Sequence, residues 1–281
     1  MSEVKDLEYW ASMLSRADLP VLKQTARELA ALREDDQKLT AISVAEVIAR
    51  DPIMTVKLLR YLQRHKHKIQ KTEIVQIDQA LLMLGLGTFF NKIPPDPLAE
   101  DMLHSHLEAL PRMLRVVHRS HRASEYAKDW AVILRDLHYE EVRVAALLHD
   151  FTEILMWCFA PDSMLEIREI RHRDPTLRSQ SAQELVFGFN LYELQKILIV
   201  QWGLPQLLFT LMNDYGSDNP RVRNVVLAAN LARHSARGWD DAALPDDYKD
   251  IGELLRMKAE DVMEMIYVDA GLVCDINQTH R

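Results

Sequence analysis

Val142-Arg143-Val144-Ala145-Ala146-Leu147-Leu148-His149-Asp150 closes an apolar helical run on a histidine and a carboxylate set side by side. An imidazole beside a carboxylate in a hydrophobic segment is what a divalent metal site takes from one helix. Both groups ligate in the form they hold near neutral pH. Whether the pair works as a site depends on what the rest of the chain brings to it.

The surrounding sequence is helical in pattern. Apolar residues recur at helical spacing almost everywhere, strand-like alternation is scarce, and 8 glycines in 281 residues suit helices joined by short connections. Start signals are frequent. Ser43-Val44-Ala45-Glu46 has the form of a capping box, and Asp51-Pro52 offers an N-cap followed by proline at the first helical position, a device repeated at Asp174-Pro175 and Asn219-Pro220. The uncharged run 197–213 is interrupted by Trp202-Gly203-Leu204-Pro205, so it reads as two buried helices meeting at a turn and not as a membrane span of about 20 residues. Pro94-Pro95-Asp96-Pro97 interrupts any helix and marks an internal boundary. The expectation is an all-α chain: a first helical lobe over 1–95, a second over 96–236, and a helical tail over 237–281.

Composition narrows the setting. The formal net charge of −8 argues against wholesale nucleic-acid binding. Cys158 and Cys274 lie far apart in apolar contexts without a CxxC partner, which suits reduced thiols packed as small hydrophobes. The amino terminus has acidic residues and no apolar run behind it, so it does not read as a signal peptide, and a cytoplasmic, membrane-free protein is expected. No GxSxG, Walker A or GxGxxG pattern is present, which leaves serine, cysteine and P-loop chemistry without support.

His149 needs partners, and His121 is the nearest plausible one upstream, on a helix expected to begin near Pro111 and to carry His118 on the same face. A histidine on one helix, a His-Asp pair about 28 residues later and a final aspartate further on resembles the ligand order of the HD superfamily of metal-dependent phosphohydrolases. The wider sequence is similar to the HDOD family, a branch of that superfamily found in bacterial signalling proteins. Six segments in the family's order carry the resemblance, over about residues 15–235. They are Leu19-Pro20, the stretch from Ala45 to Pro52 with Leu58-Leu59-Arg60, Gln79 to Gly85, Leu147 to Asp150, Gln201 to Pro205, and Val225 to Asn230. The resemblance implies an all-helical two-lobed bundle whose members mostly relay signals through protein contacts.

Departures from the catalytic pattern bear on chemistry. HD enzymes commonly continue as His-Asp-Ile-Gly-Lys, whereas this chain reads His149-Asp150-Phe151-Thr152-Glu153, which places a phosphate-repelling carboxylate where a lysine stands. The last aspartate is replaced by Asn230, and the places of two further ligand steps are held by Asn190-Leu191 and Asp214-Tyr215. Two-metal chemistry requires more ligands than remain. His121, His149 and Asp150 would hold at most a single divalent metal, and a His149–Asp150 pair that only satisfies its own buried polar groups is the favoured reading. No catalytic residue and no cofactor are assigned.

Arg112, Arg115, Arg119 and Arg122 are spaced three, four and three apart, which aligns four guanidiniums on one helix face, either as a solvated surface or as a site for phosphates, a nucleotide or an acidic partner. The basic run Arg64 to Lys71 has only Tyr61 near enough for base stacking, so nucleic acid is not expected there, and His65/His67 and His104/His106 alternate and would face apart on a helix. Trp202 reads as core filling beside a helix break. The function expected from these residues is a non-catalytic signalling protein acting on other signalling proteins. A reduced metal-dependent phosphohydrolase and an anion- or nucleotide-binding regulator are the alternatives.

Overall fold

Helical spacing becomes helix throughout the computed structural model, which describes residues 5–65, 73–213 and 218–269. The first part holds α1 (Leu7–Arg16), α2 (Lys23–Glu34), α3 (Ala41–Ile48), α4 (Pro52–Arg64), α5 (Ile77–Leu84) and α6 (Leu86–Lys92). Next come α7 (Ala99–Met102), α8 (Ala109–Ile133), α9 (Tyr139–Leu148), α10 (Phe151–Phe159), α11 (Pro161–Arg173) and α12 (Ser179–Phe187). The chain continues through α13 (Leu191–Gln201), α14 (Gln206–Leu211), α15 (Pro220–His234), α16 (Leu244–Leu255) and α17 (Ala259–Asp269). Among the described residues there are no strands, only isolated bridges such as Val21 to Leu98. No single described helix is long and apolar enough to cross a membrane.

Five helix starts, those of α1, α3, α4, α13 and α15, carry side chains that accept otherwise orphaned amides. Asp51 accepts from the Ile53 and Met54 amides at 2.9 and 3.0 Å and, with its other oxygen, from the Leu22 amide at 2.9 Å. Pro52 then occupies the first helical position. Asn219 caps α15 through the Arg221 amide, again with proline following. Two starts differ from the sequence expectation. At α3 the cap is Thr40, which exchanges hydrogen bonds with Ser43, so the box sits three residues earlier than Ser43–Glu46. Asp174 accepts from the Thr176 amide in a turn that leaves α11, and α12 begins only at Ser179. An Asp-Pro step suits a turn as well as a cap, because in both the carboxylate takes an amide two residues on.

The proline segment at 94–97, expected as a boundary, is tied back to the first helices. Lys57 Nζ donates to the carbonyls of Pro94 and Asp96 at 3.0 and 2.6 Å, and Val21 exchanges backbone bonds with Pro97 and Ala99, each at 2.9 Å. One connected set of buried apolar side chains runs from Trp10 to Ile266. Long α8 is its axis, packed against α9, α10 and α15, while α15 also contacts α9 and α16. Trp202 is buried against Phe151 (5.7 Å between ring centroids) with the Arg60 guanidinium 5.3 Å from its ring, so it fills the core at the α13–α14 corner. Gly203 beside it has φ +63°, a conformation in which a side chain is strained.

These contacts fix the position of His149 and Asp150. Val144 to Leu148 at the end of α9, and Phe151, Ile154 and Leu155 at the start of α10, are all buried. Each of the valine, leucine, isoleucine and phenylalanine side chains among them contributes about 1.5–3 kcal/mol when removed from water. The two polar residues therefore sit at a junction held from both sides by apolar packing, facing α8 and α15.

Candidate functional site: an arginine-bound His-Asp pair

At the α9–α10 junction the His149 Nδ1 lies 3.0 Å from Asp150 Oδ1. The other partners of Asp150 are arginines. Arg119 of α8 donates to its Oδ2 at 2.9 Å, and Arg233 near the end of α15 donates to its Oδ1 at 3.1 Å. Arg119 also donates to Glu153, one turn further along α10. Arg233 reaches Asn230 Oδ1 at 3.2 Å, so the amide where a last aspartate was expected orients an arginine. The Asp150 and Arg119 side chains are 13% and 16% exposed, against 40% for Arg233. This network draws on three helices that are far apart in sequence.

The electrostatics agree from both sides. Burial alone would raise the Asp150 carboxyl, but the Arg233 and Arg119 guanidiniums, with His149, outweigh it and hold the group well below the usual carboxylate range. For Arg119 burial pulls downward, yet Glu153 and Asp150 hold its proton more tightly than in a free guanidinium. The result is a closed cluster in which each buried charge meets an opposite one.

A divalent ion does not fit this arrangement. At an effective dielectric of about 20, a dication about 4 Å from one guanidinium is repelled by about 8 kcal/mol. Two such repulsions, about 16 kcal/mol together, offset the about 15 kcal/mol that one carboxylate returns at a ligand distance of about 2.2 Å. His121 is not part of the cluster, because it lies two residues, about 200° of helical rotation, beyond the Arg119 that faces Asp150. It is half-buried, its imidazole pulled down by burial, with Glu125 opposing and Arg143, His118 and Arg50 adding to the fall. Among the described residues no group of three His, Cys, Asp or Glu side chains is placed to hold a metal ion, so His121, His149 and Asp150 are not brought together as one.

Other residues singled out from sequence have structural partners. Asn190 caps α13 by accepting from the Glu193 amide at 3.1 Å, and Leu191 is buried. Arg122 lies over the Trp239 and Tyr126 rings at 5.3 and 5.5 Å and donates to the Tyr126 hydroxyl. The arginine stripe on α8 is therefore split: Arg119 and Arg122 are engaged, Arg112 and Arg115 are not. Cys158 is buried, and burial pushes its thiol up to about 12. Asp214-Tyr215, Cys274 and most of the basic run after Arg64, with His67, lie outside the described residues. Sequence reasoning missed Arg233, although its place one turn after Asn230 puts both on one face of α15.

An all-helical bundle carrying a His-Asp pair at a helix junction defines the class as HD-related. The HDOD domain model matches residues 19–215, and the chain belongs to the HDOD family. The same fold occurs in a virulence factor from Campylobacter jejuni subsp. jejuni, at TM-score 0.65 and 18% identity over 96% of this chain and 93% of that one. It occurs also in the MmoQ response regulator from Methylococcus capsulatus, at TM-score 0.64 and 18% identity over 90% and 99% of the two chains. Comparison with curated proteins found no significant match.

Proposed function

We propose that this chain is a non-catalytic HDOD regulatory protein that works in the cytoplasm through contacts with other signalling proteins. The observation that carries this reading is the pairing of Asp150 with both Arg119 and Arg233. Two guanidiniums on one carboxylate occupy lone pairs that a metal ion would need and place positive charge where a cation would sit. Glu153, where a phosphate-attracting lysine stands in HD enzymes, adds a second carboxylate to the Arg119 side and so completes a structural ion cluster. With the pair committed to folding, function passes to the surface. Exposed apolar side chains at the end of α8 and in the turn beyond it, Val132, Ile133 and Leu137 (89% exposed), support contact with a protein.

The test combines metal analysis of tag-free protein purified without added metal with a phosphoesterase assay on bis(p-nitrophenyl) phosphate after incubation with Mn, Fe, Mg or Zn. Substoichiometric metal and no turnover above the metal-only blank are expected. Stoichiometric metal with turnover abolished in Asp150→Ala would overturn the reading.

A further inference from the structure

A cavity of about 450 Å³ opens beside α8, lined by Pro111, Leu114, Arg115, His118, Arg119 and Arg122 of that helix and by Ala236 from the turn after α15. Three more arginines belong to the same neighbourhood by position. Arg112 lies one turn before Arg115 on α8, Arg237 follows Ala236, and Arg168 lies on α11, which packs on α8; Arg168, Arg115 and Arg237 all act on Arg112. Arg171, one turn further along α11, feels Arg237, Arg233 and Arg119, with Glu153 opposing them.

We propose that this face of α8, α11 and the turn after α15 binds a small phosphorylated anion carrying two or more negative charges. Arg112, Arg115, Arg168, Arg171 and Arg237 form no ion pair or side-chain hydrogen bond among the described residues. On helices nearby, Arg143 meets Glu125, and Arg221 meets Asp136 and Glu141. The formal net charge is −8, so a face on which arginines outnumber their acidic neighbours, Glu108 beside Arg112 and Glu153 beside Arg171, is not a consequence of composition. The cluster is also unfavourable for the fold by itself. Arg112 is pulled below the ordinary guanidinium value by burial and then by Arg168, Arg115 and Arg237, with Glu108 opposing only in part. It closes the first turn of α8, which holds no acidic residue, and a cation there opposes the helix dipole. An external anion relieves both costs.

Guanidinium forks match phosphate oxygens in pairs, and several converging forks favour a multiply charged group over a single carboxylate. The cavity volume falls in the range that encloses a small molecule. A nucleic-acid backbone would need an extended basic track, whereas Arg115, Arg119 and Arg122 line one concave spot with the other arginines in its electrostatic neighbourhood. Arg119 lines the cavity and also clamps Asp150, so a bound anion adjoins the ion cluster of the His-Asp pair. The proposal does not depend on whether that pair is catalytically silent.

Isothermal titration of the full chain with pyrophosphate, tripolyphosphate and ATP at low and moderate salt tests the site. One saturable event is expected, weakened at least tenfold in Arg115→Glu/Arg237→Glu and nearly unchanged in Lys38→Glu, whose charge change is the same size per site but lies elsewhere. ATP binding tighter than tripolyphosphate marks a nucleotide site, and equal binding marks recognition of the phosphate chain; both sustain the proposal. Circular dichroism checks the fold of the double variant, and Arg115→Gln, at an exposed position, is expected to weaken binding several-fold if that variant does not fold. Absence of saturable binding by all three probes, or an equal loss in Lys38→Glu, overturns the site.

Discussion

Replacing Arg119 by methionine removes the buried cation that joins α8 to α10 while keeping most of its apolar volume. Two unit charges about 4 Å apart interact by about 4 kcal/mol at an effective dielectric of 20, before desolvation is subtracted. Breaking a buried pair by deleting one partner costs about 3–5 kcal/mol. Here the loss is smaller, because Arg233 still neutralises Asp150, and Glu153, at 26% side-chain exposure, regains water. An expected cost of about 2–3 kcal/mol follows. Arg233→Met removes a guanidinium that is 40% exposed, where solvent screening holds ion pairs below about 1 kcal/mol. Urea unfolding followed by far-ultraviolet circular dichroism at pH 7 measures both, and a cycle of Arg119→Met with Asp150→Asn is expected to show coupling of about 1–3 kcal/mol. Because the folded Asp150 carboxyl lies below its unfolded value of about 3.9, its stabilisation is present above that value and is lost only as pH falls through the depressed folded value. The coupling should therefore persist at pH 5. Equal costs for the two arginine variants, or a cost for Arg119→Met under about 0.5 kcal/mol, would refute the assignment of Arg119 as the central partner.

His234 Nδ1 donates to Asp247 Oδ2 at 2.6 Å, and this hydrogen bond raises the imidazole above its ordinary value. Stabilisation from the charged pair is complete below the unfolded histidine value near 6.5 and disappears as pH rises through the raised folded one. His234→Asn should thus cost more stability at pH 6 than at pH 9; a pH-independent difference in urea midpoints would count against the ion pair. Asp51→Ala strips acceptors from the amides of Leu22, Ile53 and Met54 in a buried setting, and a loss of about 2–3 kcal/mol is expected in the same unfolding assay. A loss below about 0.5 kcal/mol would show that water replaces the carboxylate there.

Local signals carried much of the fold. The Asp51-Pro52 and Asn219-Pro220 caps, the break at Trp202-Gly203-Leu204-Pro205 and the two helices after Trp239 can each be read from a few neighbouring residues, because capping, proline geometry and amphipathic spacing act within a turn or two. Where two local devices share a signature, sequence alone chose between them wrongly, as at Asp174 and at Ser43. The six ordered segments sufficed to identify the HDOD family, since their order over some 200 residues is far more specific than any one of them.

The candidate site was legible only in part. His149 and Asp150 stand out as a pair, and Glu153 and Asn230 are visible departures from a catalytic set. Which residue of α8 meets Asp150 depends on the rotation of that helix in the bundle, and a shift of two residues exchanges a histidine ligand for an arginine clamp. That choice, like the proximity of Arg112 to Arg168 and Arg237, is made by helix packing between segments far apart in the chain. The amino-acid sequence by itself determined the helices, their order and the family, because those follow from interactions within a turn and from a linear arrangement of motifs. Only the tertiary structure decided the partners of Asp150, because charge pairing depends on distance in space and not on distance along the chain.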